Sequence, residues 1–202
     1  MKTIRSQLTI VDNFLKPEKF QYLKALTENH NPLKNPINPI FWVLSEKVGG
    51  SDVTDENNTQ LVHSFTDMNT MHILQEVDLF DRLGVIYLIR AKMNLQFKTK
   101  NNIVSGMHYD IASVELQEGL TDVDLYTGCG IKTAVLYIND CNGGTQFEDG
   151  TFIQSKANRL VEFPRELKHS GVTATDAFTR TVLNLNYLPT NTFPAYGKNR
   201  FK

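Results

Sequence analysis

The sequence predicts an α+β fold, with a helical N-terminal part leading into an antiparallel β-sandwich or jelly roll. Residues 17–28 and 69–82 carry apolar side chains at helical spacing. From residue 84 onward, short alternating or β-branched runs recur between Gly, Asn and Asp turns. Composition bounds the answer. The chain has 202 residues, 41% hydrophobic and 21% charged, which is ordinary globular usage. That is enough chain for one domain over 1–202 with no need of disulfide staples.

The elements follow in order. Residues 7–11 (QLTIV) read as a first strand, and Asp12-Asn13 turns the chain. Pro17 suits the first turn of a helix, where its missing N–H is harmless, and Phe20, Leu23 and Leu26 then mark one apolar face. Residues 29–39 hold three prolines and four asparagines and read as loop. FWVL at 41–44 and LVHSF at 61–65 are strand candidates around a polar loop, 45–60. Ile73, Leu74, Val77 and Phe80 mark a second helix over 69–82. The remaining strand candidates begin at Gly84, Ile103, Lys132, Gly144, Asn158, His169 and Thr179. Residues 1–83 are thus expected to form a helical support with substrate-side loops, covering one face of a β core over 84–190.

Charge and cysteine content exclude several function classes. Twenty-one basic against 22 acidic residues give a net charge of −1, which disfavours nucleic-acid binding. Two cysteines, Cys129 and Cys141, build neither a disulfide framework nor a thiolate zinc site, and read as unpaired thiols in a reducing compartment. The N-terminal apolar stretch is too short and interrupted for a signal peptide, and no run of about 18 apolar residues occurs. The expectation is a soluble cytoplasmic protein.

Chemistry is concentrated in His108-Tyr109-Asp110, His169 and Arg180. On a strand, residues i and i+2 share a face, so His108 and Asp110 project together and Tyr109 away from them. His169 lies 59 residues after Asp110, at the start of another strand candidate. Two imidazoles and one carboxylate can cap one face of an octahedral iron(II) and leave positions open for O₂ and a chelating cosubstrate. Arg180 follows His169 by 11 residues, a spacing from which a hairpin returns beside the metal, and a guanidinium grips a carboxylate through two parallel hydrogen bonds. Arg180, Val182, Asn184 and Asn186 share one face of their strand, opposite Thr181, Leu183, Leu185 and Tyr187. His30, His63 and His72 have no partners at ligand spacing. Gly143-Gly144-Thr145 reads as a hairpin turn and strand start in which glycine supplies positive φ. Loops 45–60 and 116–130 are candidate lids.

The segments MHYD, TAVLYIND-CNGGTQFEDG, SKANRLVEFPRELKHSGVTATD and RTVLNLNY, in this order, resemble the iron(II)/2-oxoglutarate-dependent dioxygenases in their prolyl 4-hydroxylase-like branch. VDNFLKPEKF resembles that branch's helix entry, and the Asn-rich wording is similar to small phage-encoded oxygenases. The resemblance implies a double-stranded β-helix (jelly-roll) core with N-terminal supporting helices, and His108, Asp110 and His169 as iron ligands. It also implies Arg180 at the distal carboxylate of 2-oxoglutarate. Prolyl 4-hydroxylases often place Lys there and other members Arg. Tyr137 matches a tyrosine whose hydroxyl assists that carboxylate, Asn94 falls where relatives place a tyrosine near the cosubstrate, and Thr145 is a pocket-lining candidate. The implied activity is Fe(II)-, 2-oxoglutarate- and O₂-dependent hydroxylation of a C–H bond in a peptidyl side chain or a small molecule. The alternatives are a non-catalytic sensor that binds metal and 2-oxoglutarate, or a structural jelly roll.

Overall fold

The computed structural model describes residues 3–28, 40–45, 59–111 and 130–190. The loops expected as lids fall almost wholly outside these residues, as do His30 and Cys129. Among the described residues the chain folds as two antiparallel sheets with helices on one side. After a 3₁₀ turn (Ile4–Gln7) come β1 (Thr9–Val11), α1 (Pro17–Glu28), β2 (Val43–Ser45), β3 (Gln60–Ser64), α2 (Met68–Glu76), α3 (Leu79–Leu83) and β4 (Val85–Phe97). There follow β5 (Lys132–Tyr137), β6 (Gly144–Phe147), β7 (Phe152–Gln154), β8 (Leu160–Pro164), β9 (His169–Val172) and β10 (Thr179–Pro189). The large sheet runs β1-β8-β5-β10-β4-β3-β2 and the small one β7-β6-β9. The architecture is the expected jelly roll with N-terminal supporting helices.

The helices are held to the outer face of the large sheet by apolar burial. Phe20 and Leu23 of α1, Ile73 and Leu74 of α2, and Leu79 and Leu83 of α3 pack with Ala91 and Met93 of β4 and Leu183 and Leu185 of β10. Side chains on the other face of the same strands, Val135, Tyr137 and Val182, meet Phe147 and Ile153 of the small sheet between the layers. This is the strand period of two: one face serves the helices, the other the interior. No helix among the described residues is long and apolar enough to cross a membrane.

Four local expectations change. The strand read at 7–11 is a 3₁₀ turn followed by the three-residue β1. The helix read over 69–82 is two helices. Asp67 caps α2 by accepting from Thr70 N at 3.0 Å, and Asp78 (φ 58°) interrupts the run in the left-handed conformation that Asp tolerates. A straight helix would align Phe80 with Ile73 and Val77. The break instead buries Leu79 and Leu83 and leaves Phe80 partly covered. β7, unread in the sequence, is too short to show a pattern.

The fourth concerns glycine. Neither Gly143 nor Gly144 has positive φ. What they need is space: a Cβ at Gly143 would stand 2.5 Å from the Val172 carbonyl oxygen, and one at Gly144 would strike the Ile153 carbonyl. Gly143→Ala should therefore destabilise by roughly 1–3 kcal/mol through overpacking. Urea unfolding checks this, and a wild-type midpoint would refute the close-approach account.

Candidate active site

His108 and Asp110 sit on a broken strand rather than the regular one expected over 103–116. Val104 bridges Val172 and His108 bridges His169, four steps along one segment against three along β9. The extra residue is a bulge, which twists the segment and re-aims its side chains. Backbone bonds in both directions, His108 N to His169 O at 3.0 Å and the reverse at 3.1 Å, clamp the two histidines side by side. Tyr109, expected to face away, reaches the rim of the cavity and lies against the Lys168 ammonium, 5.5 Å from its ring centre.

The ligating atoms offered by His108, Asp110 and His169 all lie within 4.8 Å of one another. Nδ1 of His108 is 2.9 Å from the Gly106 carbonyl, and Nδ1 of His169 is 3.1 Å from that of Leu167. A carbonyl can only accept, so both Nδ1 atoms carry the proton and both Nε2 atoms present a lone pair in the neutral form. Those Nε2 atoms stand 3.7 and 3.6 Å from the two oxygens of Asp110. Two tethered imidazoles and a carboxylate that converge in this way suit a divalent cation.

The Asp110 side chain is 4% exposed and heavily compensated. Arg90 Nη2 lies 2.9 Å from Oδ1. Asn184 Nδ2 donates to Oδ2 at 2.9 Å and Asn186 Nδ2 at 3.3 Å. Asn186 also donates to Thr133 Oγ1 and accepts from Arg90 Nε, so it joins three strands in one network. Burial alone would raise the Asp110 pKa, but His108, the charges of His169 and Arg90, and the Asn184 bond together hold it far below the usual carboxylate range. At His108, burial opposes the charged form, but Asp110 and the Gly106 carbonyl outweigh it and the pKa rises. At His169, burial wins and the pKa falls.

The cluster opens into a cavity of about 320 Å³ that Arg180, Asn94 and Thr145 also line. Arg180 precedes Asn184 by four residues on β10, roughly 13 Å along the strand at about 3.3 Å per residue. It is 3% exposed. Nη1 donates to Gln96 Oε1 at 2.9 Å, Nε has no hydrogen-bond partner, and no carboxylate pairs with it among the described residues. A buried guanidinium without a counter-charge is costly and fits an incoming carboxylate. Tyr137 stands behind the cavity wall. Its ring lies 5.8 Å from the guanidinium carbon, and its hydroxyl is 2.8 Å from Thr145 Oγ1 and 3.2 Å from the Ile153 carbonyl. Asn94 lines the cavity with a buried Oδ1 that accepts nothing. His63 bonds the Phe41 backbone and His72 sits on α2 near Glu76, both outside the cluster.

Sequence reasoning assigned no role to Arg90 or Lys92, and none beyond a polar face to Asn184 and Asn186. The overlooked signal is an uninterrupted polar series at i, i+2 in an otherwise apolar strand: Arg90, Lys92, Asn94 and Gln96. In the β4–β10 register these stand opposite Asn186, Asn184, Val182 and Arg180. A further shift in that ladder leaves Ile89 unpaired beside Arg90, a second bulge at the site. Burial, with Arg90 adding to it and Asp110 opposing, lowers the Lys92 pKa.

Outer partners orient metal ligands, and their removal typically costs 10–100-fold in affinity. Asn186→Leu should therefore weaken metal binding by about 10–100-fold in an anaerobic calorimetric titration with Fe(II). Unchanged affinity would show that Asp110 needs no such support.

No protein-family model matches this sequence, and no curated protein does. Solved structures match in fold. A prolyl-4-hydroxylase from Pseudomonas putida aligns with a TM-score of 0.55 at 14% identity, covering 91% of this chain and 92% of that one. A Trichoplax adhaerens prolyl hydroxylase, solved with a hypoxia inducible factor peptide fragment, aligns at 0.59 and 14% identity over 90% and 84%. HygX from Streptomyces hygroscopicus, solved with nickel, 2-oxoglutarate and hygromycin B, aligns at 0.56 and 10% identity over 92% and 84%. The chain thus has the double-stranded β-helix fold of the 2-oxoglutarate–Fe(II) oxygenases, prolyl 4-hydroxylases among them.

Proposed function

We propose that this chain is an Fe(II)- and 2-oxoglutarate-dependent oxygenase that hydroxylates a C–H bond of a small molecule or a peptidyl side chain. One observation carries the reading: two backbone-tethered imidazoles and a buried carboxylate converge in the same cavity as a buried guanidinium with no anion of its own. The peptide and hygromycin B held by structures of the same fold fit either substrate kind. Residues 1–202 act as one domain in this reading, and the buried free thiol of Cys141 suits a reducing, cytoplasmic setting.

The overall reaction is R–H + O₂ + 2-oxoglutarate → R–OH + succinate + CO₂. Iron(II), when bound, supplies the centre at which O₂ is reduced by electrons from the oxidative decarboxylation of 2-oxoglutarate and from the substrate. His108, Asp110 and His169 hold that ion and leave one side open. The Gly106 and Leu167 carbonyls keep the imidazoles in the ligating tautomer, and Arg90, Asn184 and Asn186 keep Asp110 ionised and aimed. Arg180, steadied by Gln96, takes the distal carboxylate of 2-oxoglutarate. Tyr137 supports the guanidinium from behind through its ring, while Thr145 and Asn94 line the space beside the cosubstrate. Phe147 and Phe163 shield His169, with Phe163 edge-on at 4.8 Å.

His108→Ala or Asp110→Ala should abolish 2-oxoglutarate turnover to succinate and weaken iron binding. Full turnover in either variant refutes the metal assignment. Arg180→Ala should raise the 2-oxoglutarate concentration required by about 10–100-fold, since hydrogen bonds to charged groups contribute roughly 1.5–3 kcal/mol. An unchanged requirement removes Arg180 from that role.

A further inference from the structure

We propose that the substrate oxidised at this centre is a small carboxylic acid with a hydrogen-bond donor beside its acid group, as in an amino acid, and that Lys92 pairs with its carboxylate. The inference rests on the oxygenase reading above and extends it to the substrate.

Among the described residues the cavity is lined by three cationic side chains, Arg90, Lys92 and Arg180, against one carboxylate, Asp110. Arg90 is spent on Asp110 at 2.9 Å. Arg180 is accounted for by the distal carboxylate of 2-oxoglutarate. Lys92 is left, partly buried on β4 and with no ion pair among the described residues. The Asp110 oxygens are already met by Arg90 and two asparagine amides, and they face the metal position between the two Nε2 atoms, which leaves little of the carboxylate for Lys92. A divalent metal adds two positive charges and 2-oxoglutarate removes two. The surplus among these groups remains positive, and a carboxylate set against Lys92 compensates it locally.

The acceptors around Lys92 narrow the substrate further. In the ladder Lys92 stands opposite Asn184, and Asn94 follows it by two residues on the same face. The Asn184 amide nitrogen must face Asp110, because a carboxylate only accepts, and this fixes its Oδ1 as an acceptor. That Oδ1 and the Oδ1 of Asn94 are both buried and accept nothing. A cation beside two vacant acceptors complements an anion with a neighbouring donor. Size points the same way: about 320 Å³, near the bottom of the usual ligand-pocket range, must also hold 2-oxoglutarate.

The test uses the full chain with Fe(II), 2-oxoglutarate and air. The probes are the standard L-amino acids, the carboxamide of each acid that responds, and phosphoethanolamine. Succinate release and a mass gain of one oxygen are measured, and binding is followed by calorimetry without O₂. At least one acid should stimulate succinate release and gain an oxygen, and its carboxamide should need at least about tenfold higher concentration. Lys92→Met should erase that acid-over-amide ratio, in binding as in turnover, and Lys92→Arg should restore it. Basal succinate release with no responsive acid overturns the inference and leaves the oxygenase reading standing. So does equal use of acid and amide by the wild type, retention of the ratio in Lys92→Met, or a response to phosphoethanolamine alone. Absence of both iron binding and basal succinate release overturns the two together.

Discussion

A carboxylate that is almost wholly withdrawn from water stays ionised only if donors and cations replace its hydration, and Asp110 obtains them from several directions at once. Arg90 comes from β4 and Asn184 and Asn186 from β10, while the two imidazoles close the remaining side. Thr133 of β5 anchors Asn186 in turn. Three adjacent strands of the large sheet and the bulged segment beside β9 therefore meet at one side chain. The relative position of the two sheets and the ionisation of the carboxylate are one constraint. If the sheets moved apart, a buried charge would lose its partners, which is among the costlier defects a protein can carry.

β10 is the element through which stability and chemistry are joined. It is the middle strand of seven, covered on both faces, and each residue from Arg180 to Leu188 is buried. Leu183, Leu185 and Tyr187 bind the outer face to the helices, while Arg180 and Asn184 line the cavity and Asn186 backs Asp110. A polar side chain on such a strand cannot turn to solvent, so it must be paired within the protein or by a ligand. Asn186 is fully paired within. Arg180 and Asn184 are paired in part, and their remaining atoms, Nε and Oδ1, have no hydrogen-bond partner among the described residues.

The electrostatics of the whole chain and of the cavity point in different directions. Net charge is −1 over 202 residues, yet among the described residues the cavity concentrates three cations around one anion. In the interior the dielectric is low and charge is felt most, and there the described groups are mainly cationic.

Period-two alternation and turn residues made nearly every long strand legible, and the 3.6 period did the same for α1. The charge-bearing residues were legible too, because His108, Asp110, His169 and Arg180 are costly types to place inside a sheet. Short elements were not: β7 has three residues, and the break at Asp78 depends on which leucines the sheet can accept. Bulges escaped for the same reason, since one extra residue changes nothing in composition and everything in where side chains point. By itself the sequence, through local periodicity and side-chain chemistry, narrowed the β core to a sandwich or jelly roll and marked the candidate ligands and the polar face of β10, and the family resemblance pointed to the jelly roll. Only the tertiary structure decided that Arg90 would hold Asp110 and that Lys92 would have no ion pair among the described residues, because pairing depends on the register between strands that lie about 90 residues apart in the chain.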